Sequence, residues 1–315
     1  MGPLYRAATA RRLVWGFTRA PTLPTLVETM RGFARRAKLA PWVALAVAMA
    51  CDRGGTTPTP TGEERAHRTA QARSSGERPT SEQAHREPAL KPAADLVYVE
   101  MLTGGADEHD RLPLIVALHG LGDSPDSFAG LFSDLKTRTR IALLRAPDPY
   151  ERGWSWFDFG VHDDGGKRTG AGIRKAADRV ARAIQVVVSE RPTVGKPVIT
   201  GFSQGGALSF AIAALHPTLV ACALPMGGWL PTSLWPESTL VDRPRIVALH
   251  GADDPLITLA PTRNAVEALR QRGYDAELVS FPGVQHAVPA EMRTRLFELV
   301  SERCSPRSPD STRDE

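Results

Sequence analysis

The sequence predicts an α/β fold in which a mostly parallel β-sheet carries helices on both faces. From Leu96 onward, short β-type runs alternate with segments of helical periodicity, the order expected of βαβ units. One run leads through a glycine-flanked serine, Ser203, into a segment with apolar residues at helical spacing. Residues 52–94 contain almost no large apolar side chains, so the hydrophobic core must lie after them.

The individual elements follow from local patterns. Short apolar runs predict buried strands, and apolar residues three or four positions apart predict core-facing helices. The predicted strands cover residues 114–118, a run from Val198, 221–224, 246–249 and 278–281. One helix follows Ser203 with Leu208, Ile212 and Leu215 on one face. A second runs from Ile173 to Val187, and its charged face is interpreted as solvated and without a functional role.

The serine lies in the pattern G-x-S-x-G between the strand from Val198 and the helix after it. Gly201 and Gly205 remove side chains that would collide where the chain reverses sharply. Ser203 would therefore project its hydroxyl at the sheet edge, beside the N-terminus of a helix that favours developing negative charge. This pattern predicts a nucleophile elbow.

A nucleophilic serine needs a base, and the base needs a carboxylate that orients it. The strand 246–249 runs into a loop with Asp253 and Asp254, and the strand 278–281 is followed closely by His286. The order serine, acid, histidine along the chain is the one expected of an α/β-hydrolase. The strand 114–118 ends in His119-Gly-Leu-Gly, a loop able to present backbone N–H groups to an oxyanion.

Four motifs together resemble the phospholipase/carboxylesterase family, which includes acyl-protein thioesterases and bacterial serine carboxylesterases. They are L-H-G-L-G-D-S (118–124), G-F-S-Q-G-G-A-L-S (201–209), G-G-W-L-P (227–231) and H-G-A-D-D-P-L-I (250–257). The resemblance implies an α/β-hydrolase fold with Ser203 as nucleophile, His286 as general base and acid, and Asp254 as the orienting carboxylate. It also implies an oxyanion hole formed by the backbone N–H groups of Leu121 and Gln204.

Two features depart from the family pattern. Asp253 adjoins the expected acid, although only Asp254 precedes a proline as in the family, and Asp253 is otherwise interpreted as a solvated turn residue. The segment 151–158 is rich in tryptophan. Large aromatic residues usually pack in a core, but one or two of the tryptophans are expected to line the substrate pocket. Trp156 is one candidate, and the pair Trp229-Leu230 is another because G-G-W-L-P lies near the acyl pocket in the family.

The predicted function is hydrolysis of a carboxylic ester or thioester, on a small-molecule or lipid substrate, without a cofactor or metal. No Cys or His spacing indicates a metal site. Alternatives are a peptidase, a polymer-degrading esterase of the feruloyl or polyhydroxyalkanoate type, and an inactive surface-tethered binding protein on the same fold. The sequence does not indicate an oligomeric state.

The formal net charge of +4 is unevenly distributed. Residues 1–38 carry eight Arg or Lys and one Glu, so the remainder of the chain has a net negative charge. Since no basic stripe with interleaved aromatic residues follows, nucleic-acid binding is not expected.

The N-terminal region resembles a bacterial lipoprotein signal. Basic residues from Arg31 to Lys38 precede the uncharged run 39–50, which ends in a small residue before Cys51. The run is shorter than the about 20 apolar residues of a transmembrane helix. Lipidation of Cys51 and an extracytoplasmic, membrane-anchored location are expected; a plain secretory signal or a signal anchor is the alternative. Met30 would give an n-region of ordinary length and is the favoured start.

The chain is thus divided into a leader (1–51), a disordered tether (52–94), an α/β-hydrolase domain (95–304) and a disordered tail (305–315). Besides Cys51, the sequence contains Cys222 and Cys304. These two could pair in a disulfide, but Cys222 is interpreted as a small core residue of its strand.

Overall fold

A computed structural model describes residues 89–158, 167–237 and 242–302. The predicted leader, most of the predicted tether, the tail, and Cys51 and Cys304 lie outside these ranges. Within them, the strands are β1 (Lys91–Ala93), β2 (Leu96–Thr103), β3 (Leu114–Leu118), β4 (Thr139–Arg145), β5 (Asp148–Tyr150), β6 (Gly153–Ser155), β7 (Val198–Phe202), β8 (Cys222–Met226), β9 (Arg245–Gly251) and β10 (Ala276–Phe281). The α-helices are α1 (Pro125–Ala129), α2 (Lys167–Glu190), α3 (Gln204–Leu215), α4 (Leu259–Gln271) and α5 (Ala290–Ser301).

Eight strands form one sheet in the order β1-β2-β4-β3-β7-β8-β9-β10. The pairings β1 with β2 and β2 with β4 are antiparallel, and all others in this sheet are parallel. The carboxyl ends of β3, β7, β9 and β10 therefore meet at one sheet edge, where loops of α/β proteins carry ligand sites. The strands β5 and β6 form a separate hairpin beside that edge.

Helices cover both faces of the sheet, as predicted. Alternate residues of β3 enter opposite cores: Leu114, Val116 and Leu118 face one apolar cluster, and Ile115 and Ala117 face the other. The first cluster includes the buried faces of α2, α3 and α4. The second includes those of α1 and α5. Both layers are needed because every residue of β3 is buried.

The first described strand lies before the predicted domain boundary at Asp95. Residues 91–93 form β1, paired with β2, and Ala93 is fully buried. The segment Lys-Pro-Ala has little intrinsic preference for a strand. Pairing with β2 therefore determines its conformation, together with an ion pair between Lys91 and Glu100.

Glu100 is the centre of a buried charged cluster at the opposite sheet edge from the site. Its carboxylate contacts Arg140 Nε at 2.9 Å and Arg191 Nε at 3.1 Å, and it also pairs with Lys91. Burial alone would raise the pKa of Glu100, but these three cations lower it. The carboxylate is thus a structural counter-charge for Arg140, whose side chain is only 1% exposed.

Cys222 is fully buried at the start of β8, as expected of a core residue. It is also disulfide-bonded, which the sequence did not favour. Since the described ranges contain no second cysteine, its partner lies outside them.

Candidate active site

Ser203 lies at the sharp turn between β7 and α3. Its backbone has φ 57° and ψ −113°, a conformation that non-glycine residues rarely adopt. A Cβ at Gly205 would overlap the carbonyl oxygen of Leu118 on the neighbouring strand. The glycine allows the turn to pack against β3, and the Ser203 N–H donates to Met226 O of β8 at 3.0 Å. The surrounding sheet thus holds a strained serine in place.

His286 and Asp254 reach this serine from the loops after β10 and β9. His286 Nε2 lies 3.0 Å from Ser203 Oγ, and His286 Nδ1 lies 2.6 Å from Asp254 Oδ2. The Phe202 ring packs against the imidazole with centroids 4.7 Å apart. Three residues distant in sequence therefore form one continuous hydrogen-bonded chain at the carboxyl edge of the sheet.

Asp254 is held as an ionised carboxylate although it is only 4% exposed. Its other oxygen, Oδ1, accepts from the backbone N–H groups of Leu256 and Ile257, both at 2.9 Å. Burial would raise the pKa of Asp254, but the hydrogen bond and charge of His286 and the two N–H donors lower it. The carboxylate thus stays negative beside the imidazole.

Asp253 does not hydrogen-bond to His286, unlike Asp254. Its side chain is exposed, and Oδ2 accepts from the N–H of Gly283 at 2.8 Å, in the turn that leads to His286. The structure therefore brings Asp254, and not Asp253, to the histidine. Asp253 instead connects the loop after β9 to the loop after β10.

Of the two residues of the expected oxyanion hole, Gln204 directly follows Ser203, and Leu121 follows Gly120, where an added Cβ would lie 3.6 Å from Ser203 Cβ. Gln204 is the first residue of α3, so its N–H has no acceptor within the helix. Leu121 lies in the loop after β3, and no backbone carbonyl in the described part of the chain accepts from its N–H. The next N–H, that of Gly122, donates to Trp154 O at 2.9 Å, so the β5–β6 hairpin fixes this loop.

A model of the phospholipase/carboxylesterase family matches residues 105–301, which contain all of these groups. The chain belongs to the phospholipase/carboxylesterase family. A probable carboxylesterase of Oryza sativa subsp. japonica is 28% identical over 66% of this chain and 82% of the relative. The acyl-protein thioesterase 1 of Mycosarcoma maydis is 29% identical over 56% of this chain and 85% of its own. This chain is accordingly a carboxylic ester hydrolase.

Solved structures of esterases share the fold of this carboxylesterase. Esterase PE8 superposes with a TM-score of 0.58 at 20% identity, over 66% of this chain and 98% of its own. SOBER1 of Arabidopsis thaliana gives a TM-score of 0.53 at 23% identity, over 61% and 99%. At these identities the likeness establishes the α/β-hydrolase architecture alone.

The three residues expected in the substrate pocket differ in how far they are exposed to solvent. Trp156 and Leu230 are 3% and 2% exposed and pack in the hydrophobic core, and their place in a substrate pocket stays a prediction. The Trp156 indole N–H donates to His119 O at 2.9 Å. Trp229 is partly buried against the same core and retains an exposed portion.

His250 is a residue of the site that the sequence analysis did not assign to it. The ring is fully buried behind Asp254, with Nε2 3.6 Å from Asp254 Oδ2. Nε2 donates to Ile257 O at 2.7 Å, and burial lowers the pKa of His250. His250 thus braces the turn whose N–H groups bind Asp254. The signal available in the sequence was a histidine before glycine at a strand end, four residues before the acid.

Among the described residues, no cluster of His, Cys, Asp or Glu has the composition of a metal site. No described helix is long and apolar enough to span a membrane.

Proposed function

We propose that this carboxylesterase cleaves its substrate through a covalent acyl-enzyme formed on Ser203. The observation that carries the proposal is the hydrogen-bonded chain from Ser203 Oγ through His286 to Asp254, at 3.0 and 2.6 Å. His286 Nε2 would accept the hydroxyl proton as Ser203 Oγ attacks the carbonyl carbon. Asp254 would stabilise the resulting imidazolium and keep Nε2 directed at the serine.

The attack places a negative charge on the former carbonyl oxygen. The N–H groups of Leu121 and Gln204 are the proposed donors, and the N-terminus of α3 adds a favourable dipole. His286 then returns the proton to the leaving alcohol or thiol as the carbon–heteroatom bond breaks. A water molecule, deprotonated by the same imidazole, attacks the acyl-enzyme and releases the carboxylic acid and Ser203.

The decisive experiment compares the wild type with Ser203→Ala on p-nitrophenyl butyrate. Removing a member of a catalytic triad leaves only a small residual activity, so we expect kcat to fall by about 10⁴ or more. Ser189→Ala is the matched control, because this exposed hydroxyl only donates to Val186 O of its own helix. A Ser203→Ala variant that turns over at the wild-type rate would refute the mechanism.

An inactive protein on this fold is a real alternative, because a relative of Oryza sativa subsp. japonica that is 29% identical is named a probable inactive carboxylesterase. Labelling by a fluorophosphonate probe tests this alternative directly. We expect labelling of the wild type and of Ser189→Ala, and none of Ser203→Ala. An unlabelled wild type at neutral pH would favour a binding protein.

The substrate class proposed is a small-molecule or lipid ester or thioester, in keeping with the names carboxylesterase and acyl-protein thioesterase among the relatives. Kinetics on matched oxygen and sulfur esters of increasing acyl length would rank these substrates. Turnover of peptides, feruloyl esters or polyhydroxyalkanoate in preference to all of them would support the alternatives instead.

We also propose that the enzyme acts outside the cytoplasm, anchored by a lipid on Cys51. Support comes from the basic and apolar pattern before Cys51 and from the disulfide at Cys222, because disulfides persist mainly in oxidising compartments. Mass spectrometry of the protein from its native cell is the test. An acylated N-terminal Cys51 is expected, and a cytosolic chain that retains residues 31–50 would refute the anchor.

A further inference from the structure

The fully buried His119 directly follows β3 and precedes the loop that carries Leu121. Its two ring nitrogens have different partners. Nδ1 lies 2.7 Å from the carbonyl oxygen of Gly120, which can only accept, so Nδ1 carries the proton. Nε2 accepts from the N–H of Ala146 at 3.2 Å. One donor and one acceptor satisfy a neutral imidazole, and burial lowers the pKa of His119 in agreement with that form.

The hydrogen bond from His119 Nδ1 to Gly120 O affects the Leu121 N–H, because both groups belong to one peptide unit. The carbonyl of Gly120 and the N–H of Leu121 belong to the same planar trans peptide, so they point in opposite directions. Fixing the carbonyl against His119 therefore fixes the direction of the Leu121 N–H. A carbonyl that accepts a hydrogen bond also polarises its own peptide, which makes the N–H a stronger donor.

His119 is also connected to the other proposed oxyanion donor. Its backbone carbonyl accepts from the Trp156 indole at 2.9 Å, and the Trp156 backbone N–H donates to Gln204 Oε1 at 3.0 Å. The Gln204 amide nitrogen in turn donates to Phe157 O at 2.8 Å. The residues that carry the two N–H groups are thus linked through one buried tryptophan.

We propose that His119 is a positioning residue for the oxyanion hole: its Nδ1–H aligns and polarises the Gly120–Leu121 peptide, and Trp156 links that peptide's loop to Gln204. The inference rests on the proposed acyl-enzyme mechanism. The residue touches no reacting atom, so its effect must be transmitted through the Leu121 N–H.

Two isosteric variants separate the two ring nitrogens. In His119→Asn the amide nitrogen can occupy the position of Nδ1 and still donate to Gly120 O. In His119→Gln the terminal group reaches only the position of Nε2, so the donor to Gly120 is lost. His109→Gln is the matched control, because His109 is exposed.

Loss of one oxyanion donor costs about 10²–10³ in kcat, so a misdirected donor in His119→Gln should lower kcat about 10-fold to 100-fold. KM for p-nitrophenyl butyrate should change less than about twofold, because the oxyanion exists only in the transition state. Inhibition by a trifluoromethyl ketone, whose adduct with Ser203 carries an oxyanion, should weaken by the same factor as kcat/KM. The shape of the pH profile of kcat should not change, since the variant alters no member of the hydrogen-bonded chain from Ser203 to Asp254.

His119→Asn should recover most of the lost kcat. The inference is overturned if His119→Gln matches the wild type in kcat and ketone inhibition, or if both variants are equally impaired. Should His119→Gln fail to fold, ¹⁵N NMR of the wild type decides, because a proton on Nε2 instead of Nδ1 contradicts the arrangement. An active Ser203→Ala measured in parallel would instead refute the acyl-enzyme mechanism itself.

Discussion

Replacing Asp254 by asparagine tests how the carboxylate controls the proton on His286. The side chain has two oxygens with opposite surroundings: Oδ2 faces His286 Nδ1, and Oδ1 accepts from the N–H groups of Leu256 and Ile257. An amide has only one oxygen, so it can satisfy only one of these two sides. The two orientations have different consequences for catalysis.

If the amide oxygen stays with the two backbone donors, the NH₂ group faces Nδ1 of His286. Nδ1 must then be an acceptor and the proton moves to Nε2, which can no longer accept from Ser203. The productive orientation instead leaves two N–H groups, the buried one of Ile257 and the partly buried one of Leu256, opposite an NH₂ group. Each unsatisfied donor costs about 1–3 kcal/mol, so this orientation is less stable by about 2–6 kcal/mol.

At about 1.4 kcal/mol per factor of ten, Asp254→Asn should lower kcat by about 30-fold to 10⁴-fold. Asp253→Asn is the control: its exposed side chain keeps an oxygen for the N–H of Gly283, so kcat should change about twofold or less. Initial rates with p-nitrophenyl butyrate at pH 7 to 8, with thermal melts to confirm folding, measure both. An Asp254→Asn variant that keeps more than a tenth of wild-type kcat, or a larger loss in Asp253→Asn, would refute the reasoning.

Three further outcomes are expected. Glu100→Gln removes the counter-charge of the buried Arg140 and the partly exposed Arg191, and it should lower the free energy of unfolding by about 3–5 kcal/mol at pH 7 in urea titrations. Since the folded pKa of Glu100 lies below 4.5, this difference is present above that pH and should vanish as the pH falls through the folded value. Gly205→Ala should prevent folding because its Cβ overlaps backbone atoms of β3. Its control, Gly195→Ala, has φ 72° but open space around the Cβ, and should lower the free energy of unfolding by about 1 kcal/mol. Equal melting temperatures of the two variants would contradict the packing of the turn at Ser203. Non-reducing peptide mapping should find Cys222 joined to Cys304, and free thiols at both would exclude the bond.

The sequence was most informative where structure depends on local chemistry. The strand 114–118 was identified within its observed bounds, because five consecutive buried aliphatic residues can only lie between two covered layers. Ser203 was placed at its turn by the two glycines that the turn sterically requires. Asp254 and His286 were placed in loops after two predicted strands, in the chain order expected of an α/β-hydrolase, and the family resemblance chose Asp254 over Asp253.

The missed features depend on partners that local patterns do not reveal. The strand β1 exists because β2 offers an edge, and the hairpin β5–β6 turns through Glu151 at φ 52° without glycine at that position. Trp156 was a pocket candidate as one of several tryptophans that local patterns could not place, and its indole bonds to a carbonyl 37 positions earlier in the chain. A tryptophan that bonds to residues behind a site and one whose ring contacts the substrate cannot be told apart by sequence. Both lie in the same loop, and only the direction of the ring differs. In this enzyme the backbone and indole N–H groups of Trp156 donate to Gln204 and His119, one of which carries a proposed oxyanion donor and the other of which positions its partner. A substitution of Trp156 should therefore lower kcat before it alters the choice of substrate.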